Sequence, residues 1–314
     1  MVGRVNCYLI EDDPLTLVDT GPNSGKALDE LERALGERGR RIEDLERIVI
    51  THQHIDHLGL VGILARRSGA EVCALDLLAP VIEDFGSEAE HDDELAEALM
   101  LRHGITRDVV TALRAVSRSF RGWGGSTKVT TRLADGSQLG FAGRTLDVLH
   151  RPGHSPSDTI FSDPASGEII GGDHLIAHIS SNPLISRPLG GKSGEPGGGR
   201  PRALLTYMRS LRETRAMDAR VILAGHGEPV TDHVALIDER FALHDRRARK
   251  IAGLIEERPR SAHEIAQELW GNVAVTQAYL TLCEVLGHVD MLLEDGRAAE
   301  EDGPGGTVRF AAAS

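Results

Sequence analysis

Thr51-His52-Gln53-His54-Ile55-Asp56-His57-Leu58-Gly59 places three imidazoles and one carboxylate within six positions. The stretch follows Arg47-Ile48-Val49-Ile50, whose β-branched run reads as a buried strand. Imidazole and carboxylate are the ligands that zinc and similar borderline ions accept. His52 and His54 alternate, so both can point to one side of an extended loop, while Asp56 and His57 begin the turn into a helix and can face a second ion. The competing reading is a solvated loop that holds histidines by accident. Three of them directly after a buried strand argue against it.

Three further segments repeat the arrangement. Pro152-Gly153-His154-Ser155 follows Leu146 to His150, Gly171-Gly172-Asp173 follows Glu168 to Ile170, and Gly225-His226-Gly227 follows Val221 to Ala224. Each sets a potential ligand just beyond a strand, beside glycine that lets the backbone turn sharply. A lone histidine after a strand is more often structural. Four such strand ends in one chain point to a metal centre.

With Asp19 in Val18-Asp19-Thr20-Gly21, these segments form an ordered set of five that resembles the metallo-β-lactamase superfamily over roughly residues 1–240. The resemblance implies an α/β (α+β) fold: an αββα sandwich of two mixed sheets with helices outside and ligands on loops along one edge. It implies that His52, His54 and His154 hold one metal, that Asp56, His57 and His226 hold a second, and that Asp173 bridges them. Asp19 then supports the ligand loop without binding metal. The implied cofactors are two divalent ions, zinc first, with iron or manganese as alternatives. Asp173 stands where members that open β-lactams with two zincs usually carry cysteine, so the resemblance leans toward the thioesterase, lactonase and nuclease branches.

The rest of the chain supplies a consistent frame. Apolar runs Val5 to Ile10 and Leu15 to Val18 flank a turn at Asp12-Asp13-Pro14, and Met1 to Asn6 reads as strand. Helical spacing covers Lys26 to Arg38, Leu58 to Ala65, and Ala203 to Arg212. Two helices between Asp92 and Phe120, broken near His103-Gly104, suggest a cap whose Leu99, Met100, Ile105, Val109 and Leu113 could wall a pocket; His91 and His103 on them read as surface residues. Short strands fill Lys128 to Gly171. Leu189 to Pro201 is a Gly/Pro-rich loop and lacks the spacing of a phosphate-binding loop. From 241 to 314 the pattern changes to a charged helix from His244 to Glu257, a capping box Ser261–Glu264, a helix from Ala274 to Leu286, and a hairpin around Glu294 to Arg297 that ends at Val308 to Phe310. This tail resembles the small winged-helix domain that follows the catalytic domain in a subgroup containing an animal mitochondrial endoribonuclease. Domains are therefore expected at 1–240 and 241–314.

Composition narrows the function. The formal net charge is -13, and from residue 241 onward 8 Lys/Arg face 12 Asp/Glu, so the electrostatic footprint of a phosphate-backbone binder is missing. The basic cluster Arg246 to Lys250 reads as a solvated helix face. Cys7, Cys73 and Cys283 are odd in number and widely spaced, which excludes a disulfide framework; Cys7 and Cys73 read as core residues. No apolar run approaches a membrane span, and the opening lacks a secretory pattern, so a cytoplasmic location is expected.

Two metals about 3.5–4 Å apart can share a hydroxide as nucleophile and polarise a carbonyl or phosphoryl oxygen. The favoured reading is a binuclear hydrolase of a small ester, thioester or lactone, with Asp56 and Asp173 as the catalytic carboxylates and His174, His178 and Asn182 as candidate pocket residues. The alternatives are a metal-dependent endoribonuclease or phosphodiesterase acting on single-stranded nucleic acid and, more weakly, a metal-binding sensor without catalysis. The expected partner is a small molecule, with no membrane; a homodimer is compatible.

Overall fold

The structure is a computed structural model that describes residues 3–190 and 199–313. Its first strands, β1 (Tyr8–Ile10) and β2 (Thr16–Val18), pair antiparallel across the expected turn. Helix α1 (Gly25–Glu37), opened by the Ser24 hydroxyl accepting from the Ala27 amide, crosses over to β3 (Arg47–Ile50), parallel to β2. Helices α2 (Ile55–Leu58) and α3 (Val61–Ser68) lead to β4 (Glu71–Leu75). Helices α4 (Ala79–Glu83), α5 (Phe85–Arg102) and α6 (Arg107–Phe120) precede β5 (Thr131–Leu133), which closes a sheet ordered β1-β2-β3-β4-β5.

Strands β6 (Gln138–Gly140), β7 (Thr145–His150), β8 (Thr159–Asp163) and β9 (Glu168–Gly172) form an antiparallel meander. Helix α7 (Ala203–Arg215) then returns the chain to β10 (Val221–Ala224), parallel to β9. Helix α8 (His233–Glu257) leads to β11 (Arg260–Ser261), α9 (Ala262–Trp270), α10 (Val273–Thr276), α11 (Ala278–Glu294), β12 (Ala298–Asp302) and β13 (Val308–Ala312). The last three strands form their own sheet, β11-β13-β12.

Alternation along the strands builds the layers. Val49 packs between the sheets with Val18, Val148, Phe161 and Ile170, while its neighbours Ile48 and Ile50 face the opposite way onto α1, α3 and α4. In the second sheet Phe161 and Ile170 face inward, and Ile160 and Ile169 face α7 and α8. Helix, sheet, sheet and helix are thus stacked by period-2 burial, as expected for the αββα sandwich. Strands β7, β9 and β10 run in one direction, so their C-terminal ends share one edge. The Thr159 amide donates to the Thr51 carbonyl at 3.1 Å and the Asn6 amide to the Gly225 carbonyl at 2.7 Å, which brings the end of β3 and the chain's opening to the same edge.

Several boundaries differ from the sequence reading. Of the strand expected from Met1 to Asn6, Met1 and Val2 lie outside the described residues; among those described the first strand starts at Tyr8, and Val5 instead bridges to His226 across the sandwich. The helix expected from Leu58 to Ala65 is two helices, α2 and α3, separated at Gly59-Leu60, and the helix from Ala274 to Leu286 is α10 and α11, separated at Gln277. The boundary expected at 240/241 falls inside α8, one helix of 25 residues. Of the Gly/Pro-rich loop, residues 191–198 lie outside the described residues. Cys7 is only half-buried.

The cap is the larger correction. Leu99, Met100 and Ile105 are buried in a core shared with α8, α9 and α11, and Val109 and Leu113 pack against it, so these side chains join layers rather than wall a pocket. His103 is 2 % exposed and stacks on Phe310, with ring centroids 5.8 Å apart. The surface reading failed because α5 is amphipathic toward the C-terminal helices, which sequence periodicity alone does not pair with it.

Three histidines in this shared layer are held neutral. Burial, reinforced by Arg200 and Arg102, pushes His103 down to about 3. Burial pushes His244 down to about 4, with His288 beside it, and His288 likewise to about 4. Each folded value lies below that of the unfolded chain, near 6.5. The unfolded state therefore binds more protons, and the stability these rings contribute is complete above about pH 6.5 and is lost as pH falls toward the folded values. The melting temperature should drop between pH 7 and pH 5, and His103→Leu should make that drop shallower. An unchanged pH slope in His103→Leu would contradict this account.

Candidate metal centre

Strand ends bring the sequence-predicted ligands together at one edge of the sandwich. His52 and His54 leave β3, His154 leaves β7, Asp173 leaves β9 and His226 leaves β10. Asp56 and His57 ride on α2. Two groups of possible ligand atoms result: His52, His54, His154 and Asp173 in one, and Asp56, His57 and His226 in the other.

In the first group His54 Nδ1 lies 3.0 Å from His52 Nε2 and 3.0 Å from His154 Nε2. The opposite nitrogens of two of these rings are fixed elsewhere. His52 Nδ1 meets the Thr51 hydroxyl at 3.0 Å, and His154 Nδ1 meets the Asn182 carbonyl at 3.2 Å. Burial holds His52 well below the usual histidine range, with His57 and His54 adding to the effect, and pushes His154 down to about 3. Burial likewise lowers His54. Three neutral rings with converging lone pairs are what a tetrahedral or related ion requires.

The second group is more strongly charged. His57 Nε2 is 3.3 Å from Asp173 Oδ1, and its Nδ1 donates to Asp19 Oδ2 at 2.7 Å. His226 Nε2 is 3.3 Å from Asp56 Oδ2 and 3.5 Å from Asp173 Oδ2, while its Nδ1 donates to the Arg4 carbonyl at 2.9 Å. Burial opposes charge on both rings, yet Asp19 and Asp173 raise His57 well above its usual range, and Asp173 and Asp56 raise His226 to about 9. Both Asp56 and Asp173 are held below the ordinary carboxylate range, against burial, chiefly by His226 and, for Asp173, also His57. The edge therefore demands positive charge, which protons or a divalent cation can supply.

Cations fit this donor set. His57 Nε2, Asp173 Oδ1 and His226 Nε2 are buried and make no hydrogen bond. Their contacts at 3.3–3.5 Å are charge pairs without hydrogen-bond geometry. Three buried donor atoms that face one space and leave their directed bonding unused are the mark of a ligand site. The close approach is possible because residue 225 is glycine: a Cβ there would sit 2.2 Å from Asp173 Oδ1 and 2.8 Å from His57 Cε1.

Asp19 is the support of this edge. It adopts φ 59, a left-handed backbone disfavoured for a residue with a side chain. That strain costs roughly 1–3 kcal/mol. Its carboxylate accepts from the Thr51 amide at 2.9 Å, the Thr51 hydroxyl at 2.8 Å and His57 Nδ1. Hydrogen bonds to a charged group contribute about 1.5–3 kcal/mol each, which more than offsets the strain.

The three candidate pocket residues separate. His174 turns away from the edge: its Nε2 meets the Thr214 hydroxyl at 2.8 Å in a fully buried setting, and burial pushes it down to about 3. His178 is exposed and lies against the residue after His226, since a Cβ on Gly227 would come within 2.6 Å of its Nδ1. Asn182 supports His154 through its carbonyl and donates from Nδ2 to the Leu280 carbonyl at 3.2 Å. The sequence reading missed Asp158, which accepts from the Ser155 amide at 2.8 Å and hydroxyl at 2.7 Å and so shapes the loop carrying His154. It also missed Ser157, whose hydroxyl donates to Gln53 Oε1 at 2.7 Å and ties that loop to the histidine loop. The Ser155-Pro156-Ser157-Asp158 spacing is a turn signal that could have found both.

Known proteins resemble the chain over most of its length. Residues 1–226 match the family described as the metallo-beta-lactamase superfamily. The chain is 32 % identical over 310 residues to a probable metallo-hydrolase, YqjP, of Bacillus subtilis (strain 168), covering 98 % of this chain and 93 % of that one. A metallo-beta-lactamase family protein of Thermus thermophilus superposes with a TM-score of 0.78 at 28 % identity, covering 98 % of this chain and 93 % of that one. A shorter likeness, 45 % over 67 residues, covers 21 % of this chain and 23 % of an exodeoxyribonuclease, WalJ, of Streptococcus pneumoniae.

Two substitutions test the edge. Gly225→Ala should lower the bound transition metal well below that of the parent protein, while far-ultraviolet dichroism stays native. Asp19→Ala should weaken metal affinity on the order of 10–100-fold, the range for groups that orient a ligand. Full metal occupancy in Gly225→Ala, read by elemental analysis, would contradict the packing argument.

Proposed function

The chain belongs to the metallo-beta-lactamase superfamily and is a metal-dependent hydrolase, and from that premise we propose that it uses two divalent ions, zinc first, to hydrolyse a small ester, thioester or lactone. One observation carries the binuclear reading. Asp173 Oδ1 faces His57 while Oδ2 lies 3.6 Å from His154 Nε2 and 3.5 Å from His226 Nε2, so one carboxylate touches both ligand groups. In this reading His52, His54 and His154 hold one ion, Asp56, His57 and His226 hold the other, and Asp173 is common to both.

Bound there, the ions would supply Lewis acidity and make water a nucleophile near neutral pH. The chain's own residues do the rest. Thr51 and the Asn182 carbonyl fix the tautomers of His52 and His154, so that each offers a lone pair, while the Arg4 carbonyl holds the Nδ1 hydrogen of His226, so that Nε2 is the nitrogen turned to a cation once its proton is displaced. Asp19 does the same for His57. Asp56, with a side chain 39 % exposed and its carboxyl held ionised beside His226, is the edge carboxylate open to solvent and would orient a water there as hydrogen-bond acceptor; a proton passed through it to a leaving group would be held only in transit.

Charge supports the small carbonyl substrate over nucleic acid. The chain carries -13, and strand β12 presents Glu300, Glu301 and Asp302 to solvent on the C-terminal sheet. We read that unit, with α9, α10 and α11, as winged-helix-like, but its acidic strand repels a phosphate backbone. The specific observation for the second reading, a phosphodiesterase, is the short likeness to the exodeoxyribonuclease.

Zinc-loaded protein offered a thioester, an ester and a single-stranded RNA, each with and without chelator, separates the two. Chelator-sensitive thioester or ester turnover, nearly independent of salt, is expected. Nucleic-acid cleavage that falls steeply as salt rises, with no ester or thioester turnover, would overturn the proposal.

A further inference from the structure

Among the described residues, large apolar side chains left in solvent are confined to two short segments. They are Val116, Phe120 and Trp123 at the end of α6 and just beyond it, and Val273, Val275 and Leu280 on α10 and α11. Single exposed apolar residues are ordinary, but contiguous ones mark binding surfaces. Phe120 and Trp123 touch edge to face, with ring centroids 5.7 Å apart and exposures of 45 % and 46 %.

Each segment is fastened to a loop of the metal centre. On one side the Asn23 amide donates to the Trp123 carbonyl at 2.8 Å, and Asn23 Nδ2 donates to the Gly122 carbonyl at 3.1 Å. Asn23 lies four residues beyond Asp19. The same segment presses on α2, which carries Asp56 and His57: a Cβ on Gly59 would meet the Trp123 carbonyl oxygen at 2.5 Å, and one on Gly125 would meet the Gly59 oxygen at 2.3 Å. On the other side Asn182 joins Leu280 to His154, through its Nδ2 and its carbonyl respectively. The backbone of each apolar segment is thus fastened to a loop beside one of the two ligand groups, one segment to each.

We propose that Phe120 and Trp123, with Leu280 at the opposite ligand loop, bind the hydrocarbon part of the substrate, so that the enzyme prefers medium-chain acyl esters, thioesters or lactones over acetyl ones. This rests on the carbonyl-hydrolase reading above. The occupant is hydrocarbon because the surface is apolar. It is part of the substrate because both segments are hydrogen-bonded to the loops that carry the ligands. Trp123 and Phe120 are specificity residues, and the ion pairs of Arg121 with Glu90 and Asp93 hold their segment on α5.

Chain length is the variable that tests this. For acetyl, butanoyl, hexanoyl and octanoyl thioesters, kcat/KM should rise roughly two- to fourfold per methylene, the factor for moving a methylene out of water. Trp123→Ala should flatten that slope, so its loss grows from acetyl to octanoyl by about tenfold or more. Independently of turnover, Trp270→Phe protein keeps Trp123 as its one tryptophan. Its emission should shift to the blue on titration with octanoate, and less with butanoate. Thioester turnover with the same slope in Trp123→Ala overturns this proposal and leaves the hydrolase reading standing. Absence of any ester or thioester turnover overturns the carbonyl-substrate reading, and octanoate binding is then the measurement that decides the apolar site. Light scattering that finds a dimer lost in Trp123→Ala, with the slope unchanged, assigns the surface to a second copy of the chain and likewise overturns the proposal.

Discussion

One carboxylate, Asp173, sits 5 % exposed among three imidazoles, with His57 Nε2 at 3.3 Å, His226 Nε2 at 3.5 Å and His154 Nε2 at 3.6 Å. A buried carboxylate without compensating charge would cost several kcal/mol. The sandwich is arranged to supply that compensation. Strands β7, β9 and β10 end at one edge, a hydrogen bond from Thr159 to Thr51 draws in the loop after β3, and one from Asn6 to Gly225 draws in the segment before β1. Glycine at 225 leaves room for the carboxylate, and the hydroxyl of Ser181 donates to the Asp173 carbonyl at 2.6 Å to fix its backbone.

Rigidity around this carboxylate is layered. Each imidazole of His52, His57, His154 and His226 has its outward nitrogen occupied, by Thr51, Asp19, Asn182 and Arg4 in turn. Those partners reach back to distant parts of the chain, so the edge is held by both sheets at once. The apolar segments around Trp123 and Leu280 are attached to the same partners' loops. A substrate bound on them would therefore be registered against the ligands by the backbone itself.

Much of the site was legible in the sequence because its residue types are rare at strand ends. Three histidines and an aspartate after Ile50, and single ligands after β7, β9 and β10, stand out against the apolar strands that precede them. The layers were legible for a similar reason, since alternation in Ile48-Val49-Ile50 records which sheet face each residue meets. What could not be read depends on distant pairing. His103 looked exposed because Phe310, which stacks on it, lies at the other end of the chain. Leu99, Met100 and Ile105 looked like pocket walls because α9 and α11, which cover them, come more than 150 residues later. Polar supports such as Asp158 and Asn182 were hidden or ambiguous because serine, asparagine and aspartate in loops are common, and only geometry separates a support from a solvated side chain.

The account stands on Asp173 joining two ligand sets, and anomalous diffraction from crystals of the zinc-loaded protein tests this directly. Two anomalous peaks about 3.5–4 Å apart, one on each side of the Asp173 carboxylate, are predicted. A single peak held by His52, His54 and His154, with His57 Nε2 and His226 Nε2 still facing only carboxylates at saturating zinc, would contradict it.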